Sequence, residues 1–389
     1  MKQLIRTTRR MTSPFCSFVT LTLSVKKFSG FGLTLFLLVL IGCQDHPALN
    51  PQTPSPGQNI RPKSPNPDWA PNIDPPMWAV IEELLRLNPT PLWQLTPQEA
   101  RQRPTVKDAV NNLLSQNNIA PPPVNVTITE RTIPGWNGAP LRAKIYTPKT
   151  GSGPFPVIVY FHGGGWVIAN PDVYEASTIA LSQNTGAVVV SVEYRKAPEF
   201  KFPTAHEDTY ASYVWVRNNA ASLNGNPAKI AVAGESAGGN MAVTTSLLSK
   251  ERGTPLPVHI LSVYPVANND LNTPSYQRFA NAKPLDKPLV EWFVDKYFNS
   301  PADGDTKLIS LVDVADLSGL PPTTIIAAEI DPLLSEGKQL ADKMQSQGVP
   351  VAYQYYEGVT HEFFGTYAIV PDAARAQDFA ASRLKEAFR

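Results

Sequence analysis

A serine, an aspartate and a histidine stand in this 389-residue chain in an order that suits nucleophilic catalysis: Ser236, Asp331 and His361. Ser236 sits in Gly234-Glu235-Ser236-Ala237-Gly238, directly after the apolar run 230–233. A Gly-X-Ser-X-Gly turn between a strand and a helix bends the chain sharply and lifts the serine hydroxyl above the sheet. That hydroxyl is a weak nucleophile until a base takes its proton, and the base needs an acid to orient it. His361 lies in Gly358-Val359-Thr360-His361, just past the last apolar run, and Asp331 in Glu329-Ile330-Asp331-Pro332, just past the run before. Glu329 and Glu336 compete for the orienting role, but one falls on the expected strand and the other in the helix that follows. Among the other histidines, His46 lies in a proline-rich stretch, His206 at a helix start and His259 at a strand start. Those positions suit solvation or structure. A serine, base and acid so arranged carry out acyl transfer through a covalent serine intermediate.

Acyl transfer also needs donors for the oxyanion that develops. His162-Gly163-Gly164-Gly165-Trp166 follows the apolar run 157–161. Consecutive glycines let backbone N–H groups converge on an anion, and open α/β sheets bind ligands at the carboxyl ends of their strands. The N–H groups of Gly163, Gly164 and Ala237 are the expected oxyanion donors, with His162 bracing the loop.

Holding these loops on one face takes a sheet. Residues 124–133 and 141–146 alternate in character and predict an antiparallel edge. Residues 157–161, 187–192, 229–233, 260–264, 323–328 and 351–356 are short and largely apolar, as strands covered on both faces are. Helical patterns at 173–183, 205–218, 237–249, 336–347 and 373–388 fall between or after them. The alternation predicts an α/β fold with a doubly wound, mostly parallel sheet of eight strands. Before the first strand, Met77, Val80, Ile81, Leu84, Leu85 and Leu87 form a helical stripe, and a second helix opens at Thr96-Pro97-Gln98-Glu99 with a capping-box pattern. Helices that precede the sheet cannot be its crossovers, so they are expected to form a cap. Trp78 and Met77, with Trp93, Trp166 and the aromatics Trp292, Phe293, Tyr297 and Phe298 of an insertion near 271–300, are the expected pocket residues.

The chain divides into residues 1–43, 44–76, 77–122 and 123–389. Lys2, Arg6, Arg9, Arg10, Lys26 and Lys27 fall in the first segment with no acid, so against the whole chain's +1 the remainder carries −5. A mildly anionic body without a basic stripe excludes nucleic acid as a partner. The apolar run 31–41 is shorter than the ~18 residues of a membrane span and has signal-peptide length. It ends in Leu40-Ile41-Gly42-Cys43, which resembles a bacterial lipobox. The expectation is export with a lipid anchor on Cys43, the alternative being ordinary secretion or a periplasmic location. Prolines crowd 44–76, predicting an extended tether, with Trp69 packing onto the following domain. Cys16 and Cys43 are the only cysteines, so the segments after the leader have no disulfide and no thiol chemistry.

Taken together, His162-Gly-Gly-Gly-Trp166, Gly234-Glu-Ser-Ala-Gly-Gly239, Asp331-Pro-Leu333, the His361 loop and Glu193-Tyr-Arg-Lys-Ala-Pro-Glu199 resemble the hormone-sensitive lipase family of α/β-hydrolases. The resemblance runs from about residue 95 to the C-terminus. It implies a serine carboxylesterase with an α/β-hydrolase fold, an N-terminal helical cap, a small-molecule ester substrate and no cofactor. Glu235 stands where that family more often has Asp, Ser335 where an acid often follows, and Glu362 where Gly usually follows the histidine. An amidase or peptidase could use the same residues, and a binding protein on a hydrolase scaffold is the reading from another class. Short- to medium-chain acyl esters are the expected substrates, and the sequence leaves oligomeric state open.

Overall fold

The computed structural model describes residues 56–389. Its centre is one eight-stranded sheet: β1 Val126–Pro134, β2 Pro140–Pro148, β3 Phe155–Phe161, β4 Val188–Val192, β5 Gly225–Glu235, β6 Ile260–Val263, β7 Thr323–Ile330 and β8 Val351–Thr360. The spatial order is β1-β2-β4-β3-β5-β6-β7-β8. β2 runs antiparallel to both neighbours and the other pairings are parallel, so the expected antiparallel edge is present.

The period of two along each strand divides the core. Val157, Val159 and Phe161 of β3 face one layer, with α5 Thr204–Asn219, α6 Ala237–Glu251 and α9 Leu334–Ser346. Ile158 and Tyr160 face the other, with α4 Glu175–Thr185 and α10 Pro371–Ala387. Helices on both faces are what let all five residues of β4 be buried valines and serine. The chain leaves β3 to one side, toward β4, and returns to place β5 on the other, with Phe161 paired to Gly234. That reversal opens a crevice beyond the carboxyl ends of β3 and β5, the place where such sheets bind ligands.

Helix α1 Pro75–Leu87 packs on α3 Val106–Gln116 and on β8. The single second helix expected from residue 96 is in fact two. α2 Pro97–Ala100 carries the expected capping box, Glu99 N–H to Thr96 Oγ1 at 3.3 Å and Thr96 N–H to Glu99 Oε2 at 2.9 Å. It stops because Pro104 disfavours helical geometry at Arg103, and α3 restarts from its own Thr105–Asp108 capping box. The insertion contributes α7 Pro274–Arg278 and α8 Lys287–Tyr297, the latter capped by Asp286, which accepts from the Leu289 N–H at 2.9 Å.

The described part of the expected tether, from Pro56 onward, is a strap bound to the sheet's far edge and not a free spacer. Ile60, Ala70 and Ile73 are buried, and Trp69 meets Trp78 edge-on at 6.0 Å. The Asp74 N–H donates to the Gly358 carbonyl at 2.8 Å, and Asn72 Nδ2 to Glu329 at 2.9 Å. The prolines prevent helix formation, but the apolar residues between them still bury. No helix among the described residues is long and apolar enough to cross a membrane. The leader, its Cys43 and the first residues of the tether lie outside the described residues.

Candidate active site

Ser236 joins β5 to α6 with φ 57° and ψ −121°, a conformation residues with side chains avoid unless their surroundings enforce it. The enforcement is visible in its flanking glycines. A Cβ on Gly238 would overlap the Phe161 carbonyl at the end of β3, and one on Gly234 would overlap the Gly238 carbonyl. Only this backbone-to-backbone approach leaves room for so tight a bend.

His361 follows β8, and its Nδ1 lies 2.7 Å from Asp331 Oδ2. Asp331 follows β7 and is itself held by the Leu333 N–H, which donates to Oδ1 at 2.9 Å. With Nδ1 committed to a carboxylate, Nε2 is the nitrogen left for chemistry. Burial alone depresses the imidazole's pKa, but the charge and hydrogen bond of Asp331, joined by the charges of Glu362 and Glu235, outweigh it and raise it above 6.5. Ser236 and His361 both line one cavity of about 480 Å³. The described hydrogen bonds include none between Ser236 Oγ and the imidazole. In unliganded sites of this kind that bond often tightens only around substrate.

The glycine loop leaves β3 beside the serine. None of the described residues accepts from the N–H groups of Gly163, Gly164 or Ala237, so these donors are unspent. His162 braces the loop as expected: its Nδ1 is 2.7 Å from the Gly163 carbonyl and its ring stacks on Tyr194 at 4.2 Å. Burial pushes its pKa down to about 3, so it stays neutral. The competing residues fall elsewhere. Glu329 is on β7, bound to the Gly358 N–H at 2.9 Å. Glu336 is helical and accepts from the Ala267 N–H at 2.8 Å. His206 bonds Tyr297 and Asn240, and His259 bonds Thr324; both are buried and structural.

The residues around 84–106 and α8 roof the large cavity, with Leu92, Trp93, Ile168, Leu285, Leu289 and Phe293 on its walls. Arg101 clamps this roof to the sheet domain through the Val167 carbonyl at 2.8 Å, the Ala197 carbonyl at 2.6 Å and Glu199. A second, apolar cavity of about 70 Å³ also touches Ser236 and is bounded by Trp166, Tyr276, Val290 and Phe298. The aromatic expectations need correction here. Trp78 and Met77 face the core; Trp78 donates to the Pro65 carbonyl at 3.0 Å, because the strap covers that face of α1. Trp292 packs edge-on against Phe293 at 5.4 Å and lines neither cavity, since its side of α8 turns away. Trp166 borders only the smaller one, stacked on Tyr297 at 4.7 Å. Sequence reasoning passed over Tyr160, Tyr174 and Tyr264, whose hydroxyls bind the carboxylates of Glu235 and Glu362 behind the serine and histidine. The unusual identities of Glu235 and Glu362 were the signals pointing there.

Residues 158–365 match the family described as alpha/beta hydrolase fold, a span that holds the glycine loop, the serine turn and the histidine. The chain belongs to the hormone-sensitive-lipase-like esterases of this fold. It is 36% identical to carboxylesterase NlhH of Mycobacterium tuberculosis over 264 residues, 67% of this chain and 82% of that one. An ethyl acetate hydrolase of Pseudomonas putida is 30% identical over 63% of this chain and 78% of its own. A thermostable esterase of Pseudomonas putida superposes with a TM-score of 0.75 at 31% identity, covering 82% of this chain and 99% of that one. As a member of these esterases the chain is an ester hydrolase.

Proposed function

We propose that this esterase cleaves short- to medium-chain acyl esters through an acyl-enzyme on Ser236. Ser236 Oγ attacks the ester carbonyl carbon while His361 Nε2 takes its proton. The N–H groups of Gly163, Gly164 and Ala237 hold the oxyanion, and Asp331 keeps the imidazole in the required tautomer. Collapse breaks the bond to the alcohol oxygen, which leaves with the proton from His361. A water, deprotonated by the same nitrogen, then hydrolyses the acyl-serine and returns the enzyme.

The observation that carries this reading is the His361–Asp331 bond standing across one cavity from a serine on a strained turn. The two unequal cavities that meet at Ser236 support a size rule: a short acyl chain in the small one and a bulkier alcohol in the large one. Turnover of p-nitrophenyl esters from acetyl to palmitoyl tests it. Ser236→Ala is expected to lose about 10⁴-fold or more in kcat, and Asp331→Asn somewhat less. A Ser236→Ala variant that keeps a tenth of the activity refutes the assignment.

We also propose an exported protein with a lipidated Cys43, supported by the lipobox-like Leu40–Cys43 sequence. Two acyl chains would give stable membrane attachment where one is marginal. Intact mass of the native protein decides it: an N-terminus other than Cys43, or an unmodified Cys43, leaves secretion without an anchor.

A further inference from the structure

Glu362 occupies a place where an unbranched backbone would be easier. Its φ is 69°, in the left-handed region that favours glycine, and it directly follows His361. Side chains are kept in such positions where the surroundings hold them, and functional sites are where they collect. Its carboxylate accepts from the Tyr174 hydroxyl and lines the large cavity. Tyr174, the residue before α4, is buried, and its hydroxyl lies where a side chain on Gly163 would begin. One hydroxyl thus touches both the loop of the base and the loop of the oxyanion donors.

Resting on the esterase reading above, we propose that Glu362, through Tyr174, is a positioning residue that locks the His361 loop to the Gly163 loop and sets the pH range in which the histidine works. The groups that face it come from every neighbouring element. They are Tyr174 before α4, Tyr160 on β3, Tyr194 after β4, Glu235 at the end of β5, Tyr264 after β6, Asp331 after β7 and His361 itself. Glu235 is held between the Tyr160 and Tyr264 hydroxyls, and the Tyr264 ring lies 4.5 Å from the imidazole. Burial raises the pKa of Glu362 despite the adjacent His361, so it ionises at higher pH than an ordinary carboxyl. An ionised Glu362 favours imidazolium. Removing its charge therefore makes the base usable at lower pH.

Glu362→Gln keeps an acceptor for Tyr174 and removes the charge; Tyr174→Phe keeps the charge and removes the tie. Full kcat/KM profiles from pH 4.5 to 9 on p-nitrophenyl acetate, with Ser236→Ala as a blank, read both. The acid limb of Glu362→Gln is expected about half a unit or more lower than wild type, a relative gain at low pH that a misfolded variant cannot produce. Tyr174→Phe is expected to lower kcat about 5- to 10-fold with a smaller change in KM. Glu362→Gly, which relieves the backbone, is expected to show the shifted limb and the lowered kcat together. A Glu362→Gln profile that overlays wild type, or a Tyr174→Phe variant with unchanged kcat, overturns the inference. If Ser236→Ala keeps a tenth or more of the wild-type activity, the Ser236 acyl-enzyme reading falls instead.

Discussion

Gly163→Ala probes the oxyanion site with the smallest available perturbation. The φ of Gly163 is not in the left-handed region, so alanine is conformationally acceptable and only space is at issue. The new Cβ overlaps the Tyr174 hydroxyl oxygen and lies 3.0 Å from both Tyr174 Cζ and the Glu235 carbonyl oxygen. Tyr174 is buried and bound to Glu362, so the glycine loop is the part that gives way. Moving the Gly163 N–H off the oxyanion costs about 10²–10³ in kcat, the effect of losing one such donor. Overpacking should cost about 1–3 kcal/mol of stability as well. The assay is kcat and KM on p-nitrophenyl acetate, with Tm, in wild-type and Tyr174→Phe backgrounds. Without the hydroxyl the nearest atoms stand at 3.0 Å, tight enough for a small adjustment only. The Gly163→Ala penalty should then fall to about 10-fold or less, a coupling of about 1.4 kcal/mol or more. Equal penalties in the two backgrounds, or a single variant within about threefold of wild type, would refute the reasoning.

The acid limb of wild-type kcat/KM follows from the raised pKa of His361: the base works only when neutral, so activity falls as pH drops through a value above 6.5. A pH profile with its half-point below 6.5 contradicts the Asp331 pairing as its cause. Val290→Phe fills the small cavity, which Val290 lines but the large one does not, and should cut butyryl against acetyl turnover by about 10-fold. Competition between the two p-nitrophenyl esters measures it, and an unchanged ratio removes that cavity as the acyl site.

The sheet was legible because a strand buried on both faces has little choice of composition, as in Val188–Val192. The serine, aspartate and histidine were legible because each falls immediately past a strand. The aromatic wall was not. A tryptophan's preference for burial is the same whether it meets a pocket, a strap or a neighbouring ring, and tertiary packing decided differently for Trp78, Trp292 and Trp93. The strap was misread for a related reason. Proline density reports what backbone conformation is forbidden, while Ile60, Ala70 and Ile73 report that the segment still seeks a core. The tyrosine–glutamate group left almost no trace, since hydroxyl and carboxylate meet there from five separate segments.

That strap carries a consequence for the order in which the chain is made. Its anchor points are Glu329 and Gly358, and Gly57 abuts the Ala368 carbonyl, all more than 250 positions further along. The first segment to leave the ribosome in this body can settle on α1 at once, but its seat on the sheet waits until nearly the last has emerged. Apolar residues of α1 share their core with Phe363, Ile369 and the final helix. Contacts so distant in sequence form late and slowly. In a nascent chain of this design the strap reaches its seat on β7 and β8 only once the C-terminal segment has been made.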